Sequence, residues 1–170
     1  MTAAGLAIIV MGVTGVGKST FGAALATEMG VPFIEGDSFH PAANLRKMAA
    51  GIALQDADRW PWLLALGAAI EVQRHPTGAV ASCSALKRSY RDRLRDIIGA
   101  PRLLVCLVAQ REQIAARMQA RQDHYMPVAL LDSQLQTLEL PASDEGVVML
   151  DASRSVESML ASLRNASGSR

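Results

Sequence analysis

Eight residues near the start of the chain, Gly12-Val13-Thr14-Gly15-Val16-Gly17-Lys18-Ser19, constrain it more than any other stretch. Their spacing is that of a phosphate-binding loop: a glycine, four free positions, then Gly-Lys-Ser. The flanks supply the context that the motif needs. The uninterrupted apolar run Leu6 to Met11 reads as a fully buried strand, and from Thr20 onward Phe21, Leu25 and Met29 recur at helical spacing until Gly30 closes the helix. Glycines at 12, 15 and 17 permit backbone conformations that turn successive N–H groups inward around phosphate oxygens, and the following helix N-terminus adds donors and partial positive charge. Gly12 to Thr20 are therefore predicted to bind a nucleoside triphosphate. Lys18 reaches the β- and γ-phosphates as a point charge, and the Ser19 hydroxyl is the candidate ligand of Mg²⁺.

The rest of the chain alternates strand and helix. Pro32 to Glu35 reads as a short second strand ending at Gly36-Asp37, and His40-Pro41 opens a helix through Met48. Pro61 opens another, with Trp62, Leu63, Leu66 and Ile70 on its apolar face. Residues 40–75 thus read as a helical insertion. Gly78 to Cys83, Arg102 to Ala109 and Gly146 to Asp151 are predicted strands, each followed by a helical pattern, and Asn165 to Arg170 is expected to fray. This alternation predicts one α/β domain over 1–170, a parallel sheet covered on both faces.

The formal net charge of +1 argues against a broad nucleic-acid surface, which needs an excess of basic residues on one face. The basic residues are mostly arginine, 14 against 3 lysines, which suits recognition of carboxylate or phosphate at a local site. The longest apolar stretch is too short to span a bilayer and no basic residue precedes it, so a cytoplasmic protein is expected, without a membrane partner. Cys83 and Cys106 fall in strand-like runs and read as buried, reduced thiols.

Lys18 and Asp37 both follow strand ends, so adjacent strands bring them to one crevice. A carboxylate there can orient or deprotonate a hydroxyl attacking the γ-phosphorus; alternatively Asp37 caps a turn beside Gly36, or assists Mg²⁺ through water. Lys87 and Arg91, at the start of the helix after the third strand, are candidates to hold an anion in the site, whereas Arg93 and Arg95 read as surface. Arg117 and Arg121 lie on one helix face just before a loop containing His124. A lid over about 119–130 is expected there, with Arg117 toward the nucleotide and Arg121 stabilising charge that develops during transfer.

Several longer runs carry a resemblance. Gly36-Asp37-Ser38-Phe39-His40-Pro41-Ala42-Ala43-Asn44-Leu45-Arg46-Lys47-Met48, then Asp56-x-Asp58-Arg59-x-Pro61-Trp62-Leu63, resemble the bacterial gluconate kinases. So do Cys83-Ser84-Ala85-Leu86-Lys87-x-x-Tyr90-Arg91, Arg121-x-x-His124-Tyr125-Met126 and Ser133-Gln134-Leu135-Gln136-Thr137-Leu138-Glu139. The resemblance covers about Ile8 to Leu150, with Gln55, Leu135 and Gln136 as small departures from the usual residues. It implies a P-loop NTPase fold with sheet order 2-3-1-4-5, like adenylate and shikimate kinases. It further implies transfer of the ATP γ-phosphate to the 6-hydroxyl of D-gluconate, a place in the pentose phosphate and related pathways, and a homodimer. His40, Arg46, Arg59, Lys87, Arg91 and His124 become candidate acceptor-binding residues beside Asp37. Against this, a guanine-reading switch needs an Asn/Thr-Lys-x-Asp motif that the chain lacks. Phosphorylation of another polyhydroxy acid, or ATP binding without transfer, are the remaining alternatives.

Overall fold

The first strand, β1 (Ala7–Met11), is buried at every position, a pattern that suits only a strand flanked on both edges and covered on both faces. The computed structural model, which describes residues 5–121 and 127–168, places it so. β1 pairs in parallel with β3 (Ala79–Ser82) on one side and β4 (Arg102–Val108) on the other, in registers that begin at Ala7 with Ala79 and with Arg102. β2 (Phe33–Ile34) extends the sheet beyond β3, and β5 (Val148–Asp151) beyond β4, giving the order β2-β3-β1-β4-β5.

The helices are α1 (Lys18–Met29), α2 (Ala42–Ala49), α3 (Asp56–Gln73), α4 (Arg88–Ile97), α5 (Arg111–Ala120), α6 (Val128–Thr137) and α7 (Val156–Gly168). The main core joins β1, β3 and β4 to Phe21 and Leu25 of α1, Trp62, Leu66 and Ile70 of α3, and Leu160 and Leu163 of α7. A second, small core of Met48, Leu54 and Leu130 packs α2 and the segment after it against α6. Among the described residues no helix is long and apolar enough to cross a membrane.

Two elements depart from the sequence reading. α3 begins at Asp56, five residues before Pro61, because Gln55 and Asp58 form a capping box that starts the helix earlier. Pro61 then sits within the helix, on its solvent side, where water can serve the carbonyl that the missing N–H leaves free. Of the tail expected to fray, residues 165–168 continue the helix, and 169–170 lie outside the described residues. Leu163 is fully buried, and Arg164 donates to Glu28 of α1 at 2.7 Å, so packing extends the helix past the point where composition suggests fraying.

Candidate active site

The C-terminal ends of β1, β2 and β3 meet at one edge of the sheet, which is where parallel α/β sheets collect ligands. From β1 the chain enters the glycine loop. Gly17, at the N-cap of α1, has φ +106°, a left-handed value that a side chain rarely adopts. Among the described residues, no backbone acceptor meets the amides of Gly15, Gly17, Lys18 or Ser19. They are left as a set of donors at a helix N-terminus, which fits a polyphosphate. Lys18 donates from Nζ to the Val13 carbonyl at 2.9 Å, and burial pulls its pKa below the ordinary lysine value while the Asp37 carboxylate pushes it up. A desolvated ammonium with one neutral partner fits an anion as its missing counter-charge.

The segment that follows β2 supplies two carboxylates, one on either side of Gly36. Glu35 accepts from the Ser19 hydroxyl at 2.5 Å and from the Ser82 hydroxyl at 2.5 Å. Ser82 Oγ in turn accepts from the Gly36 amide at 3.0 Å, and a Cβ at Gly36 would lie on the Ser82 carbonyl oxygen. Glu35 is thus fixed against the loop serine, a role that the sequence reading missed by treating it as the last strand residue. Its signal was an acidic residue at a strand end beside the phosphate loop. Asp37, on the other side of Gly36, keeps a 60% exposed side chain and stands 3.8 Å from His40 Nε2.

His40 is held by its stack on Trp62, with ring centroids 4.1 Å apart, and by the Asn44 amide, which donates to Nδ1 at 3.2 Å. Trp62 Nε1 itself donates to the Gly36 carbonyl at 2.8 Å. With Nδ1 accepting, the ring proton sits on Nε2, toward Asp37. Burial lowers the His40 pKa to about 4, so the ring is neutral near pH 7.

Arg59 is 5% exposed, and among the described residues its Nε meets no hydrogen-bond acceptor. Its polar contact is from Nη1 to Ser84 Oγ at 3.3 Å, and its Cζ lies 5.5 Å from the Tyr90 ring centre. No carboxylate among the described residues lies within ion-pair distance, and burial depresses its pKa. Thr14, Lys18, Asp37, His40, Arg59, Ser84, Ser133 and Gln134 line one crevice, with Met48, Leu54 and Leu130 along its apolar wall. Ala85, next to Ser84, holds a left-handed φ of +41°, the one non-glycine residue to do so among those described.

Other candidates lie elsewhere. Arg91 is fully buried beneath α4, where Nε and Nη2 bind Glu145 at 2.6 and 2.8 Å and Nη1 donates to the carbonyls of Ala85 and Leu86. It is a structural ion pair and not an anion site, because Glu145 already supplies its counter-charge. Lys87 opens onto a neighbouring hollow with Tyr90 and Thr137 and is paired to Asp56 at 2.9 Å. Arg46 is exposed on α2, outside the crevice lining. Arg117 donates to the carbonyls of Val16, at 3.4 Å, and Ala152, at 2.6 Å, tying the loop to the turn after β5. Thr20 is exposed in the first turn of α1, and Arg121 is exposed at the end of α5. His124 lies outside the described residues. Cys83 and Cys106 are free, and burial pushes their pKa values up to about 12 and 11, so both stay thiols.

A phosphate loop facing a crevice with a carboxylate and an unpaired guanidinium, on a 2-3-1-4-5 sheet, defines a small-molecule kinase of the P-loop class. A family model described as an AAA domain matches residues 8–141. The chain is 44% identical over 157 residues to a gluconokinase of Gluconobacter oxydans, covering 92% of this chain and 88% of that protein. It is 42% identical to the thermosensitive gluconokinase of Escherichia coli, covering 96% and 88%. Its fold matches the crystal structure of a gluconokinase from Sinorhizobium meliloti with TM-score 0.81 and 46% identity over 91% of this chain and 87% of that one. A shikimate kinase from Bacteroides thetaiotaomicron, 17% identical with TM-score 0.65, shares the fold alone. The chain belongs to the gluconokinase family of P-loop kinases, which implies ATP as phosphoryl donor.

Proposed function

We propose that this protein transfers the γ-phosphoryl group of ATP to the 6-hydroxyl of D-gluconate, giving 6-phosphogluconate and ADP. The observation that carries the choice of acceptor is Arg59. Gluconate offers a carboxylate at one end and a primary hydroxyl at the other, and a buried guanidinium without a carboxylate of its own supports binding of the first. Asp37 takes the proton as the hydroxyl oxygen forms its bond to phosphorus and the bond to ADP breaks. Lys18 and the loop amides hold the charge on the transferring group. Mg²⁺ fits the all-oxygen pair of Ser19 and Glu35. Among the described residues no three-ligand His/Cys/Asp/Glu cluster occurs, which suits an ion held mainly by phosphates and water. When bound, the ion neutralises phosphate charge.

Neutral glucose presents the same primary hydroxyl but leaves Arg59 unpaired. Discrimination against it on the order of 2 to 5 kcal/mol in kcat/KM is expected. Arg59→Leu should remove most of that preference by raising the gluconate KM. Steady-state ADP release with both sugars checks this, and equal turnover of gluconate and glucose by the wild type would reject the anion pocket.

We further propose a homodimer, supported by α3. That helix turns Ala57, Trp60, Pro61, Leu64, Ala65, Ala68 and Val72 to solvent without a charge among them, and Trp60, Leu64 and Val72 are 38%, 50% and 75% exposed. A two-fold antiparallel pairing of this helix sets each Leu64 over an Ala68 and each Trp60 near a Val72, large against small, so the stripe is complementary to itself. Light scattering should show a dimer for the wild type and a monomer for Leu64→Glu. A monomeric wild type, or a variant that still dimerises, rejects this surface.

A further inference from the structure

The Thr14 amide, unlike those that follow it in the loop, is already engaged by a distant element. It donates at 2.7 Å to Oε1 of Gln134, 120 residues further along the chain on α6. The amides of Gly15, Gly17, Lys18 and Ser19 remain available to phosphate among the described residues. Gln134 also lines the crevice with Lys18, Asp37 and Arg59, and among the described residues no acceptor meets its Nε2. A carboxamide both accepts and donates, so one side chain here touches the nucleotide loop with its oxygen and has its nitrogen left for an oxygen of the acceptor.

We propose that Gln134 is a positioning residue that makes nucleotide and gluconate bind cooperatively. The inference rests on the crevice assigned above. α6 is fixed at its far end, where the Glu139 amide donates to the Leu86 carbonyl and the Glu139 carboxylate accepts from the Arg88 amide. Its near end packs Leu130 against Met48 and Leu54, which form the apolar wall of the crevice. Between these anchors, the Gln134–Thr14 bond is the hydrogen bond that joins α6 to the loop among the described residues. A phosphate that orders the loop therefore orders Thr14, then Gln134, then the acceptor side. An acceptor oxygen that binds Nε2 steadies the loop in return. Such coupling is reciprocal by thermodynamic necessity.

The test measures gluconate affinity by titration calorimetry, with and without a non-hydrolysable ATP analogue and Mg²⁺. In the wild type the analogue should tighten gluconate binding at least about fivefold, the lower end of typical coupling between sites. Gln134→Met keeps the length and bulk of the side chain but loses both polar ends. It should bring that ratio to near one, with an unchanged melting temperature and a nucleotide affinity within about threefold of wild type, the scale of one lost neutral hydrogen bond. Gln134→Ala should do the same. A wild type without coupling, or a Met variant that keeps it, overturns the proposal and leaves Gln134 as a packing contact of α6. Arg59→Leu separates the two readings. If it binds gluconate as the wild type does, the crevice assignment fails. If it loses gluconate while the Met variant retains coupling, only the role of Gln134 fails.

Discussion

Lys18→Ala is expected to lower kcat by at least about 10²-fold, the scale of losing one preorganised charge contact to a developing anion. The same substitution should leave the thermal midpoint unchanged or slightly raised. The reason is that burial already works against this ammonium, whose protein partner in the crevice is the neutral Val13 carbonyl. Removing a desolvated charge relieves the folded state of a cost. An enzyme assay paired with a calorimetric melt reads both quantities. Retention of more than about a tenth of wild-type kcat, a loss under roughly 1.4 kcal/mol, would show that Lys18 does not act on the phosphates.

The second large effect is on stability. Arg91→Leu leaves the Glu145 carboxylate, 1% exposed, without its principal partner, and should destabilise the fold by about 3 to 5 kcal/mol. The intact pair also sets a pH dependence. Chiefly through its bonds from Arg91, Glu145 has its pKa lowered to about 2. A depressed carboxylate contributes stability that is present above the unfolded value, near 4.5, and lost as pH falls through about 2. Urea unfolding of the wild type from pH 6 to pH 2 should therefore weaken below about pH 4.5. The Arg91→Leu variant should start lower and lose less over that range. A stable variant with a raised gluconate KM would instead return Arg91 to the acceptor site.

These two residues mark what the sequence made legible. The loop and β1 are readable because their information is local: an apolar run, three glycines and a Lys-Ser pair within about a dozen positions. Asp37 and Arg59 fall in the crevice, as their motifs suggested. Arg91 is different. It shares a helical stripe with Arg88 and Arg95, both less buried, and only Glu145, 54 residues away, distinguishes an interior ion pair from a solvated face. Gln134 is hidden for the same reason, since its partner in the loop is 120 positions distant. Pro61 misled in the opposite sense: a strong local helix-start signal was overridden by the capping box of Gln55 and Asp58 just upstream.

Gly36 carries a consequence for how such an enzyme can change. Its backbone touches β3 so closely that no side chain fits, and Glu35 and Asp37 are bound to either flank of it. The carboxylate beside the loop serine and the carboxylate facing the acceptor therefore move as one rigid piece of the sheet, and neither can be shifted without disturbing the other. Among the described residues, α2 and α6 make no hydrogen bond to Gly36, and α3 reaches it through Trp62 and not through Arg59. New acceptors should thus arise through substitutions at Met48, Leu54, Arg59 or Leu130, with the phosphoryl-transfer hardware inherited unchanged.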